Sequence, residues 1–332
     1  MPLRKTSSPH PKYIAAADIL IGDMSDINYE FLLYNRPIIL LANAWLEENF
    51  PDIGIKTDLN NLEIAIKQSI LHPDEYEAAR KHWIKRTIHM PFGDASKNIL
   101  KIAIEKSNFE NPTITLIHGN DSVRKTNLYP IYEEGLRNNL NIELLPKPSN
   151  YDYPERIYMA VHFEDLNIED GYKVHLDHGL KGKGTANLDI SIKEYKMNNY
   201  FPSIDLHITA GEEGYKRTTT LLLGPNKNRA VIAGYPKSDM LRKQNTPQNR
   251  INVCDEFGFD PKQKIITYAP AGPLCYEKPG GSLSYKVVKK LKEISKINGY
   301  NIIIKLKNKK HNLAFLPLKK IKSYLIKNFY RQ

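Results

Sequence analysis

The chain has 332 residues, of which 41% are apolar, and its formal net charge is +11. This length exceeds one compact core and suits two domains. The two cysteines, Cys254 and Cys275, exclude a disulfide framework and predict a reducing, cytoplasmic environment. No apolar run reaches the ~20 residues of a membrane span. The positive charge predicts an anionic partner: nucleotide phosphates, a polyanionic acceptor, nucleic acid or a lipid surface.

Strand-like apolar runs alternate with helical patterns along the chain, which predicts an α/β fold with parallel sheets covered by helices. Near the start, residues 17–23 predict a buried strand, 27–35 a helix and 37–42 the next strand. Helical patterns follow at 62–71, 74–87 and 95–106, with no strand between them.

A complete sheet is predicted in the middle of the chain. Its strands are expected at residues 113–118, 141–145, 157–162, 172–177, 204–209 and 230–233. Residues 243–264 are polar and punctuated by proline and glycine, which is typical of a linker or hinge. A third series then begins with a strand at 265–269, a helix at 282–297 and a strand at 301–306.

We therefore divide the chain into three segments, residues 1–106, 112–243 and 264–332. The first and the last are each too small to cover both faces of a parallel sheet. Our hypothesis is that they complete one domain together, as in a circular permutant. Placement of residues 18–42 and 265–306 in different sheets would contradict it.

The first candidate site is residues 22–27, Gly-Asp-Met-Ser-Asp-Ile, where a predicted strand ends and a helix begins. Ligands of open α/β sheets bind outside the carboxyl ends of strands, and free amides at a helix start attract phosphate. An equally good interpretation is a helix cap, in which Ser25 or Asp26 bonds the first turn.

The second candidate site is residues 177–184, Asp-His-Gly-Leu-Lys-Gly-Lys-Gly, again just after a strand. Glycines let the backbone approach a ligand, Lys181 and Lys183 supply charge for phosphate, and His178 can take a proton near neutral pH. The alternative is a flexible turn with a solvated basic tip. We favour function, because these residue types serve complementary needs of phosphoryl chemistry.

Other patterns indicate less. Residues 271–273 and 279–282 fit a plain loop with a serine cap better than an anion cradle, and their spacing matches no cofactor fingerprint, so no cofactor is predicted. The ten histidines lack zinc-site spacing and are interpreted as core or loop residues, so no metal is predicted. Without a helix-turn-helix, RRM or zinc-finger signature, nucleic acid is not an expected partner.

The last segment is basic. Residues 301–332 hold eight lysines and Arg331 but no acid. We interpret this tail as a solvated basic helix; a membrane-surface or acceptor-binding patch is the alternative.

Several motifs resemble the CDP-glycerol glycerophosphotransferases, which build teichoic-acid-like polymers. Residues 17–41, ADILIGDMSDINYEFLLYNRPIILL, are similar to that family's ADILITDYSSVIFDYLLLNRPIIFY. Residues 93–96, GDAS, resemble its DGKASER segment, His178-Gly179 its WHG turn, residues 233–239 its TGYPRND, and residues 266–270, ITYAP, its ILYAPTW.

The resemblance implies a fold and a set of roles. The family has a GT-B fold of two Rossmann-like domains, so segments 1–106 and 264–332 would supply a split donor domain and 112–243 the acceptor domain. It implies donor phosphate contacts for Asp23, Ser25 and Ser96, and a catalytic base at His178. Gly179, Lys181 and Lys183 would complete the phosphate site through backbone amides and charge.

The expected reaction is transfer of glycerol phosphate, or a similar polyol phosphate, from a CDP-alcohol to a hydroxyl of an anionic or lipid-linked polymer, releasing CMP. The expected location is the cytoplasm, with the basic tail able to touch the membrane. Three departures keep alternatives open. Asp26 replaces the second serine of DYSS, Lys307 replaces a family histidine, and Ala271-Gly272 replaces the TW that follows AP. The alternatives are a GT-B glycosyltransferase or epimerase that uses a UDP-sugar, and a catalytically inactive remnant.

Overall fold

A computed structural model of the chain describes residues 10–23, 25–41, 51–89, 92–120, 122–147, 155–177, 203–221, 228–270 and 283–304. These residues form two compact units. The first unit lies within Lys85–Lys243, and the second combines residues of Pro9–Ile84 and Gln244–Gln332. Among the described residues, no helix combines the length and apolar character that a membrane crossing requires.

The described strands are β1 Ile19–Gly22, β2 Ile38–Leu41, β3 Ile55–Thr57, β4 Thr113–Ile117, β5 Ile142–Leu145, β6 Arg156–Ala160, β7 Tyr172–Leu176, β8 Leu206–Thr209, β9 Ala230–Ile232, β10 Ile265–Tyr268 and β11 Asn301–Ile304. The described helices are α1 His10–Ala16, α2 Ile27–Phe31, α3 Leu62–Leu71, α4 Glu77–Thr87, α5 Ala95–Ser107, α6 Ser122–Arg137, α7 Glu212–Leu221, α8 Pro236–Lys243, α9 Pro247–Phe257 and α10 Leu283–Asn298. Short 3-10 turns occupy Leu32–Tyr34 and Phe163–Leu166.

The second unit has a five-stranded sheet whose strand order is β11-β10-β1-β2-β3, with parallel pairing throughout. Ile19 pairs with Ile266, and Ile21 with Tyr268, so the first and last segments of the chain share one sheet. Residues of α3 and α10 cover one face, and residues of α1 and α9 pack in a separate core cluster with Ile265 and Ile303. Cover on both faces explains why the strands are apolar runs without alternation.

A polar clamp joins the two segments at the amino ends of β1 and β10. The Asp18 carboxylate accepts from the Ile265 amide and from the Arg250 guanidinium, each at 2.8 Å. The Asp18 amide donates back to the Ile265 carbonyl at 2.7 Å. Arg250 also donates to the carbonyls of Ala16 at 3.0 Å and Gln263 at 2.9 Å. One aspartate and one arginine thus tie strands that are far apart in the sequence.

The first unit has a six-stranded parallel sheet of order β5-β4-β6-β7-β8-β9. Its core combines the sheet with α5 and α6, through residues such as Ile99, Leu100 and Ile131. Helix α5 therefore packs with this sheet, and the boundary between the units falls after Ile84 rather than near residue 106.

The segment predicted as a linker or hinge, residues 243–264, begins where the structure divides the two units, between Lys243 and Gln244, but helix α9 lies within it. The Thr246 hydroxyl accepts from the Asn249 amide at 3.1 Å, Pro247 opens the helix, and Gly258 ends it in the left-handed conformation with φ of 64°. These are ordinary start and stop signals of a helix. The polar surface of the helix concealed them.

Candidate functional site

The five-stranded sheet reverses its winding direction between β1 and β10. The chain leaves β1 towards β2 on one side, and it leaves β10 towards β11 on the other. Because parallel crossovers are right-handed, connections that leave in opposite directions pass over opposite faces and open a crevice between the two strands. The carboxyl ends of β1 and β10 line this crevice. The predicted phosphate residues Asp23 and Ser25 follow β1 directly.

The turn after β1 is built around Asn28. Its side-chain amide donates to the Asp23 carbonyl, and its backbone amide donates to the Ser25 carbonyl at 3.1 Å. A Cβ atom on Gly22 would lie 2.0 Å from the Asn28 Oδ1, so glycine is required there. Asp23 is fully buried at 0% exposure. We infer that Asp23 shapes the turn from inside, because a buried carboxylate would repel a phosphate at close range.

Ser25 and Asp26 follow Asp23 in this turn, and both are half-buried. Asp26 occupies the cap position of α2, with the Asp26 carbonyl accepting from the Tyr29 amide at 3.0 Å, but its side chain makes no capping hydrogen bond. The capping interpretation therefore does not hold for Asp26. Helix α2 has only five residues, all buried, so its dipole adds little to anion binding. Met24 lies outside the described residues.

Ser96 lies in the other unit, at the start of α5, and it is bonded to an aspartate. The Asp239 carboxylate of α8 accepts from the Ser96 amide at 2.9 Å, the Ser96 hydroxyl at 2.7 Å and the Ala95 amide at 3.2 Å. Burial raises the pKa of Asp239, although these hydrogen bonds oppose the rise. Gly234, with φ of 106°, lets its loop pack against Ala95. Residues 93–96 and 233–239 thus contact each other. The Asp239 carboxylate occupies the position at the start of α5 where another anion could bind.

The remaining predicted residues, His178, Gly179, Lys181 and Lys183, lie outside the described residues, as do residues 271–282. The structure does describe Asp177, which directly follows β7 and precedes His178. Its amide donates to the Ile208 carbonyl at 3.0 Å. Its carboxylate lies 3.3 and 3.4 Å from the Arg217 guanidinium and 3.5 Å from the His207 Nε2.

His207 belongs to a buried stack that the sequence pattern did not predict. Strands β7 and β8 place His175 opposite His207, and the two Nδ1 atoms are 2.9 Å apart. The rings stack with centroids 4.8 Å apart, and Phe163 stacks on His175 at 3.8 Å. Exposure is 4% for His175 and 2% for His207. The sequence does show one histidine inside each of two apolar strands. Only the register of these strands shows that the two histidines are neighbours.

Asp177 keeps its negative charge in this setting. Burial, the largest single influence, raises its pKa, but the hydrogen bond and charge of His207, with the charges of Arg217 and His175, together bring the pKa below the ordinary value of an aspartate. A Cβ on Gly214 of α7 would lie 3.0 Å from the carboxylate, so this helix packs closely against it. The end of β7 is thus anchored from β8 and from α7.

Comparison with protein-family models, with curated proteins and with solved structures gives no match. Among the described residues, no three His, Cys, Asp or Glu side chains are grouped so that they could hold a metal ion.

The six-stranded sheet has a reversal of its own, between β4 and β6. Beside it, the Arg124 guanidinium of α6 bonds both carboxylate oxygens of Asp165, at 2.6 and 2.7 Å. Gly119 follows β4 with φ of 56°, and a Cβ there would lie 2.3 Å from Arg124. Each unit thus has a strand arrangement that can bind a ligand at its carboxyl edge.

Proposed function

We propose that the chain is a GT-B transferase that moves glycerol phosphate, or a similar polyol phosphate, from a CDP-alcohol to a hydroxyl of an anionic or lipid-linked polymer. The observation that carries this proposal is the position of Asp23 and Ser25, which the motif resemblance implicates in donor binding. Both residues follow β1 at the reversal of the five-stranded sheet, where such sheets bind nucleotides. The second unit would be the donor domain.

The proposed roles follow from the contacts. The Ser25 hydroxyl and backbone amides of the turn would bind the diphosphate, and buried Asp23 with Asn28 would hold the turn in shape. Gly179, Lys181 and Lys183 would stabilise the charge that develops on the transferred phosphoryl group. The structure gives Ser96 a bond to Asp239, so phosphate binding by Ser96 stays a prediction.

In the proposed reaction, an acceptor hydroxyl loses its proton to His178 and attacks the β-phosphorus of the donor. The new phosphorus–oxygen bond forms as the bond to the bridging oxygen breaks, and CMP leaves with the bonding electron pair. No metal or cofactor enters this scheme. The acceptor would bring the protein to the inner face of the cell membrane, where the basic tail could make contact.

A second function, nucleotide binding without turnover, is favoured by Asp26. This half-buried acid lies one residue after Ser25. A negative charge 4 Å from a phosphate costs about 1 kcal/mol in water and about 4 kcal/mol near a protein surface. The donor could therefore bind in a weakened or unreactive position.

Calorimetric titration with CDP-glycerol, CDP-ribitol and UDP-glucose, followed by an assay for CMP release onto a glycerol-phosphate oligomer, separates these functions. CDP-alcohol binding with CMP release supports the transferase. Binding without release supports the binding module, and preference for UDP-glucose supports a sugar-nucleotide enzyme. Absence of binding to all three ligands rules out the proposed donor site.

A substitution in the turn, a matched control and a substitution of the proposed base test the site itself. Ser25→Asp adds a second negative charge to the turn and should weaken CDP-glycerol binding at least about fivefold, the cost of one like charge at 4 Å in water. Ser203→Asp adds the same charge at an exposed serine of the first unit and should leave affinity unchanged. Equal affinity in both variants would remove the turn after β1 from the binding site. His178→Ala should abolish CMP release without unfolding the chain.

A further inference from the structure

The contact between His175 and His207 requires one hydrogen between the two rings. A hydrogen bond between imidazole nitrogens needs an N–H on one ring and a lone pair on the other. The separation of 2.9 Å between the two Nδ1 atoms is a hydrogen-bond distance. One ring therefore donates and the other accepts, and the described groups on the far side of His207 favour one of these two arrangements.

The Nε2 of His207 faces the Asp177 Oδ1 at 3.5 Å and the Thr218 Oγ1 at 3.3 Å. A carboxylate only accepts hydrogen bonds, so it favours a hydrogen on this Nε2. Neutral His207 then has a lone pair at Nδ1, and His175 must donate from its own Nδ1. The carboxylate of Asp177 thereby selects the tautomer of both rings.

We propose that Asp177, His207 and His175 form a buried proton relay, which takes up one proton and no more while the two rings stay stacked. The first proton adds at the Nε2 of His175. The hydrogen between the rings can then move from His175 to His207, which places the positive charge beside the carboxylate. A second proton would leave N–H groups on both Nδ1 atoms at 2.9 Å, and the contact would become repulsive.

Among the residues that the structure describes, the groups that face the pair come from β7, α7 and the 3-10 turn. Asp177 at the end of β7 favours the added proton. Arg217 of α7 opposes it, but its charge is shared with Asp177. Thr218 of α7 and Phe163 of the 3-10 turn contribute uncharged contacts. The ordinary pKa of an aspartate already lies below the range where imidazoles titrate, and Arg217 stabilises the negative charge of Asp177, so the carboxylate stays ionised in that range.

The relay has a consequence for transfer, which rests on the proposed function. Asp177 directly precedes His178, and the Ile208 carbonyl, His207 and Arg217 all hold it in place. Asp177, His207 and His175 are thus positioning residues for the segment that begins at His178. Uptake of a proton by the relay changes the charge beside that point, so it should appear in the pH dependence of turnover.

Nitrogen NMR of the full chain, labelled at its histidines, tests the relay without any ligand. The wild type should show His207 protonated at Nε2, His175 protonated at Nδ1, and uptake of one proton by the pair on acidification. Asp177→Asn offers an amide donor to His207 and should reverse both tautomers. Asp165→Asn removes a matched arginine-paired carboxylate of the same unit and should leave both tautomers unchanged.

A wild-type His207 protonated at Nδ1 and not at Nε2 would overturn the relay, as would uptake of two protons by a stack that still shows the contacts between the rings. These results come from the wild type, so the proposal remains testable even if Asp177→Asn does not fold. Unchanged tautomers in a folded Asp177→Asn protein would contradict it equally.

CMP release tests the positioning role separately. Asp177→Asn should lower kcat by about tenfold or more and shift the acid limb of its pH profile, with the KM for CDP-glycerol unchanged. Wild-type kcat and pH profile in this variant would contradict positioning. Absence of turnover in the wild type would instead remove the proposed function, while the tautomers would still decide the relay.

Discussion

Replacement of Asp18 by alanine should weaken the connection between the two segments that build the five-stranded sheet. The carboxylate accepts one hydrogen bond from the Ile265 amide and one from Arg250, each at 2.8 Å. Hydrogen bonds to charged groups contribute about 1.5–3 kcal/mol each. Asp18 is 24% and Arg250 28% exposed in the side chain, so solvent reduces the contribution, and we expect a total loss of about 2–4 kcal/mol. Asp18→Asn keeps one acceptor and should lose less.

Urea unfolding followed by tryptophan fluorescence measures this loss in the right unit, because both tryptophans, Trp45 and Trp83, fall within Pro9–Ile84. With a typical slope of about 1–3 kcal/mol per molar urea, the midpoint should fall by about 0.7–4 M. Asp52→Ala is the control, since that side chain is 80% exposed and pairs only with Lys56 among the salt bridges described. If Asp18→Ala and Asp52→Ala unfold at the same urea concentration, the clamp contributes nothing and the reasoning fails.

Three further changes have expected outcomes. Gly22→Ala places a Cβ 2.0 Å from the Asn28 Oδ1 and should lower the free energy of unfolding by about 1–3 kcal/mol. The distorted turn should also bind CDP-glycerol more weakly, so wild-type affinity in a titration would contradict this prediction. Ser96→Ala removes the 2.7 Å hydrogen bond to Asp239 and should lower the free energy of unfolding by about 0.5–2 kcal/mol. An unchanged melting temperature would argue against a contribution from this hydrogen bond. Cys254 is buried, and burial raises the pKa of its thiol. In a Cys275→Ser variant, Cys254 should therefore react with a thiol reagent only as fast as the second unit opens.

The strands could be predicted from the sequence because buried parallel strands are short apolar runs between turns. β1, β2, β10 and most strands of the first unit begin and end within a few residues of the predicted positions. β3 was missed, because Ile55–Thr57 has three residues, two of them only half-buried, and is recognisable only by its pairing with β2. Helix α9 was missed for a different reason: its cap signals were present, but its polar composition resembled a linker.

The candidate site could be predicted where its residues are neighbours in the chain. Asp23 and Ser25 follow a strand and precede a helix, so their position at the edge of the sheet follows from the order of elements alone. Contacts between distant residues could not be predicted. Asp239 bonds Ser96 across 143 positions, and His175 meets His207 only through the register of β7 and β8. Neither contact produces a recognisable pattern in the sequence around the residues that make it.

The composite origin of the five-stranded sheet has a consequence for biosynthesis. β1, β2 and β3 emerge from the ribosome early, but their neighbour β10 begins at Ile265, about 200 residues later. At about 5–20 residues per second, these strands wait about 10–40 s for their partner. Lys85–Lys243 is continuous and can fold during that interval. The nascent protein therefore carries an unfinished, apolar sheet edge during that interval, a state in which chaperones have time to bind.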